Sequence, residues 1–115
     1  GDGGIMMNAQ EIEKAVRLGP AVVNVVWEDG GFGSITWKQE RRFGRHFGTE
    51  FGNPDFVRFA ESFGIPAWRC ETASDFAKRL DEALATDGPS LIAVPIDYSP
   101  DVAIVGELGE EVPPT

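Results

Sequence analysis

Ala21-Val22-Val23-Asn24-Val25-Val26-Trp27 runs directly into Glu28-Asp29-Gly30-Gly31-Phe32-Gly33, and this junction decides how the chain folds. A valine-rich run bounded by turn residues is a buried β-strand, because β-branched side chains pack well on a pleated surface. The Asp-Gly and Gly-Gly pairs that follow make a tight loop at the carboxyl end of that strand. Upstream, Ile5, Ala9, Ile12 and Val16 recur at i, i+4, i+7 and i+11, which predicts one helix that Gly19-Pro20 stops. A strand that leaves a helix and enters a glycine loop is one unit of an α/β alternation.

The alternation continues downstream. Trp37–Arg42 reads as a short helix before a Gly44–Gly52 loop. Asn53 as cap, Pro54 at the first helical position and Gly64 past the end frame the next helix, with Phe56, Phe59, Ala60 and Phe63 on one face. Pro66–Glu71 reads as a short strand. Thr72 with Asp75 forms a capping box for a helix marked by Phe76, Leu80, Ala83 and Leu84, ended by Asp87-Gly88-Pro89. Ser90–Ile96 is a second buried strand, whose Pro95 belongs near an edge or an end. The expected fold class is α/β: a three-layer α/β/α arrangement on a mostly parallel sheet.

At 115 residues, of which 42% are hydrophobic, the chain fits one domain with one core. We expect that domain over residues 1–98, followed by an acidic, proline-containing tail over 99–115. A net charge of −9 argues against nucleic acid and anionic membrane surfaces as partners. The apolar run 21–27 is too short to span a bilayer, and no secretory signal opens the chain. The single cysteine, Cys70, excludes an internal disulfide and suits a reducing cytoplasm. Gly1-Asp2-Gly3-Gly4 is a phosphate-loop signature with no strand before it, so we expect the chain to be part of a larger protein.

Between Gly1-Asp2-Gly3 and Glu28-Asp29 lie 24 residues, Gly4 to Trp27. One βαβ repeat takes about 30 residues, so this spacing sets two neighbouring strand ends side by side. Ligands of such sheets bind outside the carboxyl ends of the strands. Asp2, Asp29 and a carbonyl of the Gly30-Gly31 turn would then supply the hard oxygen donors that Mg²⁺ takes alongside phosphate and water. Gly3 and Gly4 let the backbone approach a phosphate, and the helix that follows turns its positive end toward it. Each loop taken singly is also an ordinary surface turn; the spacing is what favours a site.

The pair of loops resembles the GDG…NN motif of thiamine-diphosphate (ThDP) enzymes. The stretches GDGGIMMNAQEIEKAVRLG, VWEDGGFGSI, FGTEFGNPDFVRFAESFG and DGPSLIAVPIDYSPD resemble, in order, the C-terminal ThDP-binding domain of acetolactate synthases. The resemblance implies Mg²⁺ on Asp2, Asp29 and the Gly31 carbonyl, and the cofactor diphosphate against Gly3 and Gly4. Glu28-Asp29 replaces the usual Asn-Asn, leaving Glu28 without an assigned role. Phe32 would line the active-site side of its loop. The implied reaction condenses two 2-keto acids, pyruvate among them, with loss of CO₂. The glutamate that activates the cofactor's aminopyrimidine would sit on another domain, from a partner subunit, so no catalytic residue is expected in these residues. FAD, where the full-length enzyme uses it, belongs to a middle domain.

Other residues carry blander readings. His46 is a surface histidine, Cys70 a core residue, and Arg41, Arg42 and Arg45 a solvated face or subunit contact. Trp27, Trp37 and Trp68 are core or interface anchors. An unpartnered Phe-rich helix face would favour self-association. Two alternatives stay open: another ThDP-dependent 2-keto-acid decarboxylase or carboligase, and a non-catalytic α/β assembly module.

Overall fold

A computed structural model of the chain describes residues 1–98; the expected 99–115 tail lies outside the described residues. Three strands, β1 (Val23–Glu28), β2 (Ala67–Arg69) and β3 (Ser90–Pro95), form a sheet of order β1-β3-β2 in which both pairings are parallel. Strand β3 is central, and its residues Ser90 to Val94 are all buried. Pro95 falls at its exposed last position, opposite Glu28, where a missing donor costs no internal ladder bond.

Side chains alternate along β3 and so feed two separate cores. Leu91 and Ala93 join Ile12, Val26, Phe56, Ala60 and Ile65 on one face of the sheet. Ile92 and Val94 join Cys70 and Ala83 on the other, with Val23, Val25, Trp68, Phe76 and Leu80 packed against them. Helices α1 (Asp2–Met7), α2 (Glu11–Leu18) and α4 (Phe56–Glu61) cover the first face, and α5 (Ala73–Leu84) covers the second. The expected α/β/α layering is therefore present. Helix α3 (Gly33–Phe43) has no buried residue.

Several details differ from expectation. The single N-terminal helix is two. Asn8 leaves the helical conformation, its N–H returning to the Ile5 carbonyl, and the chain restarts with Glu11 N donating to Asn8 O. Asparagine competes for nearby backbone groups in this way, and the break lets Ile5 and Ile12 both reach the same core. Val16, at the end of the expected stripe, is exposed. Helix α3 is longer than Trp37–Arg42 and starts at Gly33; Gly44, with φ of +67°, terminates it. The cap of α4 is Asp55, not Asn53: its carboxylate accepts from Val57 N and Arg58 N. The Phe-rich face of α4 points inward, with Phe56 buried and Phe59 and Phe63 against the core; the exposed phenylalanines are Phe43 and Phe47. Trp27 is at the partly exposed margin of the α5 face of β1, its ring 6.1 Å from that of Phe76. Thr72 caps α5 as expected, accepting from Asp75 N.

Candidate functional site

The carboxyl ends of the strands bring three distant segments together: Gly1–Gly3, Asp29–Phe32 and Thr49–Asn53. Asp2 is their common centre. Only 1% exposed, its carboxylate accepts four hydrogen bonds. Gly3 N reaches Oδ1 at 2.8 Å, while Asp29 N at 3.1 Å, Gly30 N at 2.8 Å and Asn53 Nδ2 at 2.6 Å reach Oδ2. Gly30 has φ of +72°, a conformation L side chains rarely adopt, and it turns two successive N–H groups onto one oxygen. Burial works to raise the Asp2 pKa. The donors from Asn53, Gly30 and Gly3 outweigh it and hold the carboxyl below its ordinary value.

Asp29 is pushed the other way. Burial, then the charge of Asp2 and a direct hydrogen bond to it, raise its pKa, against a weaker opposing donor from Gly31 N. Two carboxyl groups held this close, with nothing of opposite charge between them, share protons at a cost that a divalent cation would remove. Among the described residues no group of three or more His, Cys, Asp and Glu side chains could hold a metal. A cation here would thus take two carboxylates and main-chain oxygen, the donor set of a Mg²⁺ ion that keeps phosphate and water ligands. The Gly30 carbonyl is occupied by Phe51 N at 3.0 Å, so Gly31 is the better carbonyl donor.

The loop after Asp29 is braced from below. Gly31 forms an antiparallel bridge with Glu50, and Phe32 N donates to Thr49 O at 2.8 Å. The Phe32 ring packs against Phe51, centroids 4.9 Å apart. Phe32 also covers Gly3: a Cβ there would lie 2.6 Å from its ring and 3.1 Å from Phe51. Gly3 therefore has to be glycine for the aromatic pair as well, whereas the space around Gly4 is open. Helix α1 is only six residues long, so its dipole offers a phosphate less than a full helix would. An open cleft of about 320 Å³ runs past Gly3, Met6, Phe32 and Phe51, and one of about 470 Å³ past Glu28, Asn53, Arg69 and Pro95.

Two residues gain parts that sequence reasoning had not given them. Glu28, its side chain 9% exposed, pairs with Arg69 Nη1 and ties the end of β1 to the end of β2. Asn53, expected as a helix cap, is instead the side-chain partner of Asp2, 51 positions away. No local spacing signals such a contact. His46 lies beside the brace, with Nδ1 2.7 Å from Glu40 and Nε2 3.4 Å from Glu50.

Paired carboxylates and main-chain donors at the carboxyl edge of a parallel sheet define a cofactor-binding α/β domain. The family described as thiamine pyrophosphate enzyme, C-terminal TPP binding domain, matches residues 1–94, and the chain belongs to it. The chain is 36% identical over 107 residues to acetolactate synthase of Bacillus subtilis (strain 168), covering 93% of this chain and 19% of that protein. It is 34% identical over 108 residues to the catabolic acetolactate synthase of Raoultella terrigena, again 94% of this chain and 19% of the relative. The chain thus spans about a fifth of the length of these relatives. A crystal structure of benzoylformate decarboxylase from Polynucleobacter necessarius superposes with a TM-score of 0.79 at 25% identity, over 85% of this chain and 19% of that one.

Proposed function

We propose that the chain is the cofactor-anchoring part of a ThDP- and Mg²⁺-dependent acetolactate synthase, and that it is inactive by itself. The observation that carries this reading is the junction of Asp2 with the Asp29–Gly31 loop. It gathers two carboxylates and a turn of backbone at the one sheet edge where a diphosphate-bound cation could be held. Asp2, Asp29 and the Gly31 carbonyl would hold Mg²⁺; Gly3, Gly4 and Phe32 would face the cofactor. When bound, ThDP supplies the decarboxylation of one 2-keto acid and the bond to a second. The residues of this chain bind and orient: Gly30 fixes the loop, Asn53 and main-chain donors keep Asp2 ionised, and Phe32 closes over Gly3.

The similarity to acetolactate synthases over most of the chain favours pyruvate and a second 2-keto acid as substrates. The fold is shared with a decarboxylase, so the related carboligase or decarboxylase activity is the alternative reading. The parent would be a cytoplasmic oligomer, with residues 1–98 as the domain and 99–115 as a tail. None of the helices in the described residues is long and apolar enough to cross a membrane. The test is the full-length protein with pyruvate. Acetolactate as product, lost on chelation and restored by Mg²⁺, is expected. Free aldehyde as product would favour the decarboxylase; activity and ThDP affinity indifferent to Asp2→Ala and Asp29→Ala would leave the chain an assembly module.

A further inference from the structure

Asn53 is where the structure adds most to the site. Its Nδ2 lies 2.6 Å from Asp2 Oδ2, and the amide must be oriented with nitrogen toward the carboxylate, because oxygen there would repel it. That orientation fixes the other end of the group. Asn53 Oδ1 is buried and has no hydrogen-bond donor within the protein. A buried carbonyl oxygen without a donor is costly, so its retention beside a pair of carboxylates calls for a donor that arrives from outside the chain. Pro54 follows directly and restricts the backbone of Asn53 to extended conformations, which holds the side chain in place between the 470 Å³ cleft and Asp2.

We propose that Asn53 is a positioning residue of the cation site. Its amide N–H fixes Asp2 in the loop-facing orientation, and its unpartnered Oδ1 would accept a hydrogen from water carried by the cation. This rests on Asp2 and Asp29 holding a divalent cation. Groups that orient metal ligands in this way change affinity by about ten- to a hundredfold when removed. A purely structural asparagine would change the stability of the metal-free protein instead.

The experiment uses the full-length protein with ThDP and Mn²⁺ as a paramagnetic stand-in for Mg²⁺, its affinity read by electron paramagnetic resonance. Alongside it, thermal unfolding is followed in chelator. Asn53→Leu removes both the donor and the acceptor at similar volume; about tenfold or greater loss of Mn²⁺ affinity is expected, with the metal-free midpoint little changed. Asn53→Ser, which keeps a shorter donor and acceptor, should lose less, and it carries the test if the leucine variant does not fold. Mn²⁺ affinity within twofold of the parent in the variants that fold would overturn the proposal. So would a loss matched by a proportionate fall in the metal-free midpoint. Asp2→Asn is the control: unchanged Mn²⁺ binding there would refute the cation site itself, independently of Asn53.

Discussion

Asp29 makes a local trade between stability and binding. In the metal-free protein its carboxyl faces that of Asp2, and its pKa is raised by burial and by that charge. The sign follows directly. A carboxyl whose folded pKa exceeds its unfolded one opposes folding: the penalty sets in as pH rises past the unfolded value and is complete above the folded one. Asn at this position keeps the shape and removes the charge. Asp29→Asn should raise the metal-free unfolding midpoint at neutral pH. Asn keeps an oxygen donor, and is the usual residue of the motif here, so the further stabilisation that Mg²⁺ with ThDP gives the parent should survive in Asp29→Asn and be lost in Asp29→Ala. Thermal unfolding of the full-length protein with chelator, then with both ligands, measures the two parts; an unchanged ligand increment in Asp29→Ala would remove Asp29 from the cation site. The aspartates themselves were legible in the sequence, because their spacing is that of one βαβ unit. Asn53 was not: its contact with Asp2 depends on where the Gly44–Gly52 loop delivers it, and an Asn-Pro pair ahead of a helix looks like a cap.

Among the elements, the braced loop joining α3 to α4 is expected to respond to pH. His46 sits between Glu40 of α3 and Glu50, which pairs with Gly31. The hydrogen bond it gives Glu40 is the largest influence; with the weaker bond to Glu50 and the charges of both carboxylates it outweighs the opposing desolvation and raises the histidine pKa above its ordinary value. A raised histidine contributes stability that is fully present below the unfolded pKa and is lost as pH rises through the folded one. Amide exchange at Thr49–Phe51, corrected for its intrinsic pH dependence, should therefore be slower near pH 6 than near pH 8. His46→Gln should show no such difference, and a difference that persists in the variant would separate the brace from His46. The strands and the outer helices were readable from β-branched runs, caps and glycine stops. The length of α3 was not, because it buries no residue and so carries no apolar stripe to mark its first turns. Nor was the split at Asn8, since Ile5, Ala9 and Ile12 keep helical spacing across the break and end in or against one core.

For the whole molecule, the question is whether the two layers are one unit or two. Among the described strands, only β3 has consecutive, fully buried side chains on both faces: Leu91 inside the α1/α2/α4 layer, Ile92 beneath α5. Strand β1 is less enclosed, with Val26 buried but Trp27 exposed, and β2 has three residues. Neither edge strand buries side chains on both faces as β3 does. A cavity cut on one side of β3 should thus be felt on the other, since close-packed interiors transmit strain. Leu91→Ala should cost about 3–5 kcal/mol, and Ile92→Ala a similar amount. Each should raise amide exchange across both α4 (Phe56–Glu61) and α5 (Ala73–Leu84), measured by mass spectrometry on the full-length protein. If Leu91→Ala loosens α4 while α5 keeps its protection, the layers are separate cooperative units. The loops at the strand ends would then be anchored from one face only. If both respond together, the sheet edge that carries Asp2 and Asp29 is held from both faces, and the rigidity needed to keep two carboxylates in contact comes from the central strand.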